Sequence, residues 1–485
     1  MVKFTGVVST SSYEAQSNIE YVHPLFKRRP IKYDLQTDGV SSCILIEENV
    51  DFLEIEDYII IGTKKVNRYI DSGESDKSSV FSSKILESNP DGLLLISKKS
   101  EFQMIRGPYS MVPCYYSLYK GSLLFAGEKK LLWNLGVFSI ERLEPGEKIV
   151  FKDGKLSHEV VISREKPPIR IENTYDQTLD ILQKLLYDSF QSTKADGEVG
   201  VLLSGGVDSS LACLLAKNTF GDITAISTSS RRARDFKASK QAAELLKVKH
   251  EVVLLDIETI WHKLPEVIYA IETSNQLDVE IALPFYLAAE RAADLGISLL
   301  ISGQGPDELF AGYAKHERLV QRLGFEKLPE QLWSEVSITH KANIERDKKA
   351  IENHGLKSFF PFLYPSFIIE SLTIRPEWKI NPSLEPPRKI IFRDLARRIG
   401  LPDILAAGPK KATQFSSGTS KLLIKALKSR LADEEVTRRE IEHALQTFLH
   451  LIAEKIGVPT SVKKLKMIEE DWLASLIDQV KVPAS

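Results

Sequence analysis

Residues 204–210 read Ser-Gly-Gly-Val-Asp-Ser-Ser and follow an apolar run, Val199-Gly200-Val201-Leu202-Leu203. Gly205 and Gly206 let backbone N–H groups approach an anion with no Cβ in the way, and Ser204, Ser209 and Ser210 add hydroxyl donors. Helical spacing starts at once, at Leu211, Leu214 and Leu215, so the positive end of a helix points at the same place. Such a set of donors suits a pyrophosphate. Asp208 would repel that ligand unless it held Mg²⁺, which binds through one or two carboxylates plus phosphate oxygens. A capped helix after a tight turn explains one or two of these polar residues, but not the block. A second block, Ile301-Ser302-Gly303-Gln304-Gly305-Pro306-Asp307-Glu308-Leu309-Phe310-Ala311-Gly312-Tyr313, repeats the arrangement of glycines before acids. Asp208 and Asp307 could share the Mg²⁺ that neutralises a leaving pyrophosphate. The plain alternative for Asp307 is an acid at a helix N-terminus.

Both blocks need strands that end in one crevice. From residue 173 onward, strand candidates at 199–203, 224–228, 250–256 and 297–303 alternate with helical runs at 236–248 and 283–296. That alternation predicts a doubly wound parallel sheet, whose ligands sit beyond the carboxyl ends of its strands. Residues 1–165 differ: short β-like runs at 42–48, 57–64, 92–98, 122–128 and 147–155 are separated by turns such as Asp153-Gly154. They predict a mostly antiparallel β domain. Pro167-Pro168 falls in the connector, and residues 421–485 read as a helical C-terminal extension. The expected class is therefore α/β, with domains over 1–165 and 173–420 and the extension beyond.

The totals narrow the partners. Lys plus Arg (64) nearly cancels Asp plus Glu (66), so nothing electrostatic argues for nucleic acid. No apolar run approaches the ~18 residues of a membrane span, and the first residues lack a signal-peptide pattern. Cys43, Cys114 and Cys213 form no Cys-x-x-Cys pair. That disfavours zinc, iron–sulfur and disulfide scaffolds and fits a cytoplasmic protein.

The first block resembles the signature of the ATP pyrophosphatase superfamily, whose members cleave ATP between the α and β phosphates. It departs from the P-loop pattern, because no Gly-Lys-Ser/Thr follows. With the second block, with EVIYAIET (266–273) and with RKIIFRDLARRIGLPDILAAGPKKATQFSSG (388–418), the chain resembles the asparagine synthetase and β-lactam synthetase family. The resemblance implies that Ser204, Gly205, Gly206, Ser209 and Ser210 cradle pyrophosphate and that Asp208 and Asp307 bind Mg²⁺. It implies that Leu203, Ile226, Ser302 and Gly303 hold the adenosine of ATP, and that Lys410 is the catalytic lysine. A cation at Lys410 would stabilise charge on the phosphates and then on the tetrahedral intermediate. Lys389 is a further candidate for a phosphate-facing cation, with a surface lysine as the alternative. Glu272 matches a family acid near the acceptor site, against an ordinary helix-face acid.

RGPYSMVPCYYSLYKGSLLFAGEKKLLW (106–133) and LEPGEKIVFKDGK (143–155) resemble the family's glutaminase domain. An active glutaminase of that class carries a cysteine at position 2, and this chain has Val2. Cys43 and Cys114 lie in apolar runs, where cysteine acts as a small hydrophobe. The glutamine-hydrolysing step is thus expected to be absent, as in β-lactam synthetases. Gln304 stands where asparagine synthetases carry a glutamate and β-lactam synthetases a tyrosine, and an amide cannot accept the nucleophile's proton at pH 7. In HGLKSFFPFLYP (354–365), Lys357, Phe359 and Tyr364 replace the family's glutamate, arginine and aspartate, while Glu280 stands in place of an arginine.

The expected activity is ATP-dependent amide formation: a small-molecule carboxylate is adenylated, pyrophosphate leaves, and ammonia or an amine displaces AMP. Aspartate to asparagine is the nearest specific reaction. Other acids or amines, a non-catalytic ATP-binding protein and a base-modifying enzyme are the alternatives. The missing cysteine pairs and the lack of basic excess count against the last. A homodimer is an open option. Arg231, Arg232, Arg234 and Lys237 read as a solvated basic loop, with a phosphate-closing loop as the second reading.

Overall fold

The computed structural model describes residues 4–9, 31–37, 40–46, 51–55, 58–62, 92–98, 100–231, 233–408, 418–431, 436–460 and 471–482. They form two compact units, Met1–Glu165 and Lys166–Ser485.

The first unit is antiparallel throughout its described strands, as its turn-punctuated β runs predict. Those strands are β1 (Phe4–Ser9), β2 (Ile31–Thr37), β3 (Val40–Ile46), β4 (Asp51–Ile55), β5 (Tyr58–Gly62) and β6 (Leu93–Lys98). They continue with β7 (Glu101–Arg106), β8 (Tyr115–Tyr119), β9 (Ser122–Ala126), β10 (Glu141–Arg142), β11 (Glu147–Lys152) and β12 (Lys155–Val160). Two six-stranded sheets result, in the orders β10-β8-β9-β1-β3-β2 and β12-β11-β7-β6-β5-β4. The two-residue side-chain period divides β1 between cores. Phe4 and Val8 meet Leu95, Phe102, Met104 and Phe151 of the other sheet, while Val7 packs with Cys43, Leu124 and Leu131 on the opposite face. Cys114 is sealed in the inter-sheet core, and burial pushes its thiol up to about 12. Neither Cys43 nor Cys114 is exposed to act as a nucleophile.

The second unit holds a five-stranded parallel sheet of β13 (Glu198–Leu202), β14 (Ile223–Ser229), β15 (Lys249–Leu254), β16 (Ile297–Ile301) and β17 (Lys357–Phe359). Its order is β15-β14-β13-β16-β17. The chain thus winds one way from β13 through β15 and then returns to the other side of β13 with β16. The crevice between the tips of β13 and β16 is the topological switch point, where open α/β sheets bind ligands. Thr174 caps the helix Tyr175–Gln191 in a reciprocal capping box with Gln177, which starts the unit cleanly after the Pro167-Pro168 connector. The C-terminal helices Thr419–Lys428 and Arg438–Lys455 pack on Ile257–Ile271, with the Trp261 and Phe448 rings stacked at 5.8 Å. Among the described residues no helix is long and apolar enough to cross a membrane.

Candidate active site

The first block leaves β13 with Leu203, whose amide donates to the Ile226 carbonyl at 2.8 Å. Gly205 then adopts φ +80°, and a Cβ there would lie 2.4 Å from the Ala238 carbonyl carbon. Glycine is required on both counts. Gly206 begins the helix Val207–Phe220 with no side-chain cap, so its leading amides can face an anion. Ser204 and Ser209 share their hydroxyls at 3.1 Å, and Ser209 Oγ donates to the Gly206 carbonyl at 3.2 Å. Ser210 is buried under the turn.

The second block lies directly against the first. A Cβ on Gly303 would sit 2.8 Å from Ser209 N and 2.9 Å from Asp208 C, so backbone meets backbone between the two strand tips. Asp307 is in the first turn of the short helix Pro306–Leu309. Its Oδ1 lies 2.6 Å from Lys389 Nζ, which also meets both oxygens of Asp208 at 2.7 Å. Lys389 is 1% exposed and holds a left-handed backbone, φ +61°, at the head of the helix Ile390–Ile399. Of the two readings open for this lysine in the sequence, its burial excludes the surface lysine, and the structure pairs it with two carboxylates.

A cavity of about 490 Å³ opens over both blocks. Leu203, Ile226, Pro284, Phe285 and Leu405 give it apolar walls, and Ser204, Gly205, Gly206, Asp208 and Ser209 line its polar end. Ser302, Gly303 and Gln304 complete the wall toward β16. A flat ring between apolar walls and a polyanion at an uncapped helix N-terminus match that division.

Residues 182–336 match the Asparagine synthase family model. Over that stretch and beyond it the chain is similar to asparagine synthetases. It is 27% identical to the putative asparagine synthetase (glutamine-hydrolyzing) 1 of Methanocaldococcus jannaschii, over 68% of this chain and 69% of that protein. It is 26% identical to asparagine synthetase (glutamine-hydrolyzing) 3 of Arabidopsis thaliana, over 73% of this chain and 63% of that one. The solved NMN synthetase from Francisella tularensis aligns over 65% of this chain and 99% of its own at 16% identity, with a TM-score of 0.28. The likeness to these synthetases supports an ATP-dependent ligase.

Other sequence candidates fall in different places. Gln304 lines the cavity, and its Nε2 donates to Asp347 Oδ2 at 2.7 Å. Glu272 does not line it: the residue is buried at the end of the helix Ile257–Ile271, with its carboxylate 2.5 Å from Lys349 Nζ. Lys349 is also 2.6 Å from Glu345. Burial alone would strip the ammonium of its proton, but Glu272 and Glu345 outweigh that and hold it above the usual lysine range. Glu280 accepts from Gln276 at 2.8 Å and from Ser420 at 2.5 Å. Lys357 donates to Asp196 at 3.1 Å. Lys410 lies outside the described residues.

Three features of the site escape the sequence. The basic stretch after β14 is not wholly a loop: a helix starts at Arg234, and Lys237 on it lines the cavity. Ser227, also lining it, lies 2.6 Å from His250 Nε2, a pair made by neighbouring strands 23 residues apart. Arg393, three residues after the helix start, donates to the Arg388 carbonyl at 2.9 Å and to Gly408 at 3.0 Å, fixing the segment that carries Lys389. The first and the last had signals, the helical run at 236–248 and the resemblance of 388–418. Gly303→Ala is expected to weaken ATP binding by about tenfold or more, because the new methyl meets backbone that cannot turn aside. Equilibrium binding of labelled ATP checks this.

Proposed function

We propose that this synthetase joins a small carboxylic acid to AMP and then passes the acyl group to ammonia or another amine. The observation that carries the reading is the convergence of two acid-bearing strand tips beside a glycine-rich anion cradle. Ser204, Gly205, Gly206, Ser209 and the head of the helix Val207–Phe220 hold pyrophosphate, with Ser210 beneath them. Leu203, Ile226, Ser302 and Gly303 hold the adenosine. Lys410, by its place in the family motif, stabilises charge on the phosphates while the carboxylate attacks the α-phosphorus.

Asp208 and Asp307 fit a divalent cation. Their oxygens already converge on one ammonium within 2.7 Å. No cluster of three or more His, Cys, Asp or Glu that could hold a metal exists among the described residues, so phosphate oxygens and water must supply the remaining ligands, as Mg²⁺ prefers. Bound there, Mg²⁺ would neutralise the leaving pyrophosphate. Glu272, held by Lys349, supports the acceptor side rather than touching the nucleotide.

The first unit acts as scaffold. With Cys43 and Cys114 buried, free ammonia or an amine is the nitrogen source in this reading. Aspartate is the nearest acceptor acid. A different acid is the second reading, favoured by Glu280, which puts a carboxylate on the acceptor-side helix where the family carries an arginine. Pyrophosphate release from ATP, measured over a panel of acids with and without ammonia, tests both. AMP and asparagine formed only when aspartate and ammonia are both present support the first. Turnover with another acid alone selects the second, and none with any acid rejects amide formation.

A further inference from the structure

Gln304 lines the cavity with an amide, which accepts hydrogen bonds but does not take up a proton, and its surroundings fix which end of that amide is on offer. Asp347 behind it is fully buried. One carboxylate oxygen, Oδ2, accepts from Gln304 Nε2 at 2.7 Å, while Oδ1 accepts from Arg346 Nε and Nη2, both at 2.8 Å. Arg346 is itself 7% exposed and reaches Asp278 at 3.2 Å with Nη1. Both oxygens of Asp347 are thus used as acceptors, which is the pattern of an ionised carboxylate held by a guanidinium. An acceptor-only group can bind the amino end of an amide and repels its carbonyl end. Burial pushes the Asp347 carboxyl up, and Arg346 pulls against that.

We propose that Asp347 is a positioning residue that locks the Gln304 amide with its carbonyl oxygen toward the cavity, so that the site receives a neutral nitrogen nucleophile as a hydrogen-bond donor. The inference rests on the amide-forming reading above. Ammonia or a primary amine donates one N–H to Gln304 Oε1 and keeps its lone pair free for the acyl carbon. The N–C bond forms from that lone pair, the acyl C–O bond to AMP breaks, and its electrons stay on the phosphate oxygen. The spare proton leaves on that phosphate or to water, since an amide carbonyl does not retain it. Ammonium, which has no lone pair, is a dead-end occupant, so the amine step tracks the free-base fraction of the donor.

The test separates the two half-reactions in the full chain. ATP–pyrophosphate exchange with a supporting acid reads adenylation, and amide formation over a range of ammonia reads the second step. In Gln304→Leu the ratio of amide formation to exchange, at ammonia below its KM, should fall by about tenfold, the weight of one hydrogen bond to a neutral partner. Asp347→Asn should lower the same ratio by a smaller factor, because asparagine can present either end to Gln304. Adding Asp347→Asn to Gln304→Leu should lower the ratio no further, since an anchor without its amide has nothing to orient. A purely structural Asp347 would cost as much in the Gln304→Leu background as in the wild type, and that additivity overturns the proposal. Should Asp347→Asn fail to fold by circular dichroism, Gln304→Leu decides alone: an unchanged ratio overturns the proposal. Wild-type protein with no exchange on any acid rejects adenylation itself, a separate failure.

Discussion

Asp208→Ala is expected to lower pyrophosphate release by about a thousandfold or more, with a smaller loss in ATP binding. The reason lies in what shares the point where its carboxylate ends. Asp208 is on the first turn of the helix whose leading amides face the cavity, so its carboxylate stands beside the proposed phosphate cradle. Removing it takes away one of the two carboxylates proposed to hold Mg²⁺ against the leaving group. It also leaves Lys389 with Asp307 as its remaining acid, and an ammonium released on one side competes for the phosphate oxygens in the ground state. Binding that persists while turnover collapses is the mark of an interaction made mainly in the transition state. Steady-state pyrophosphate release beside equilibrium ATP binding checks the split. Equal losses in the two would assign Asp208 to binding alone.

Lys349→Met should cost about 3–5 kcal/mol of stability and lower the thermal midpoint by on the order of ten degrees. Lys349 is 1% exposed, and it answers the carboxylate of Glu272 at 2.5 Å from another helix as well as Glu345 at 2.6 Å on its own. Methionine fills the space but leaves two acids facing each other in a dry interior. Their charged forms are then penalised, so the deficit is full at neutral pH and shrinks as acid neutralises them. Thermal denaturation of variant and wild type from neutral to mildly acidic pH follows the gap. A gap that widens on acidification contradicts the argument.

That triad also marks where reading the chain stops working. Glu345-Arg346-Asp347-Lys348-Lys349 is five charges in a row, which read alone is a solvated helix face. All five are buried, because Glu272, Asp278 and Gln304 meet them from three separate elements and Ser358 lies within 3.3 Å of Lys348. A window along the chain cannot register partners 10 to 77 residues away. The glycine-rich turn was legible for the opposite reason: Ser204 to Ser210 is a local device, a strand end, two glycines and a helix head in seven residues. β17 was missed because three residues beside Gly355 and Pro361 give no period, and only the neighbouring β16 makes them a strand. Lys389 lay between these cases, since its segment was recognisable but its depth depended on Asp208 and Asp307.

The ammonium between those two acids changes how the nucleotide is drawn in. Two carboxylates and one buried lysine leave a single formal negative charge beside the crevice rather than two. Long-range repulsion of a tetra-anionic ligand is correspondingly mild, and the rate of encounter should depend only weakly on ionic strength.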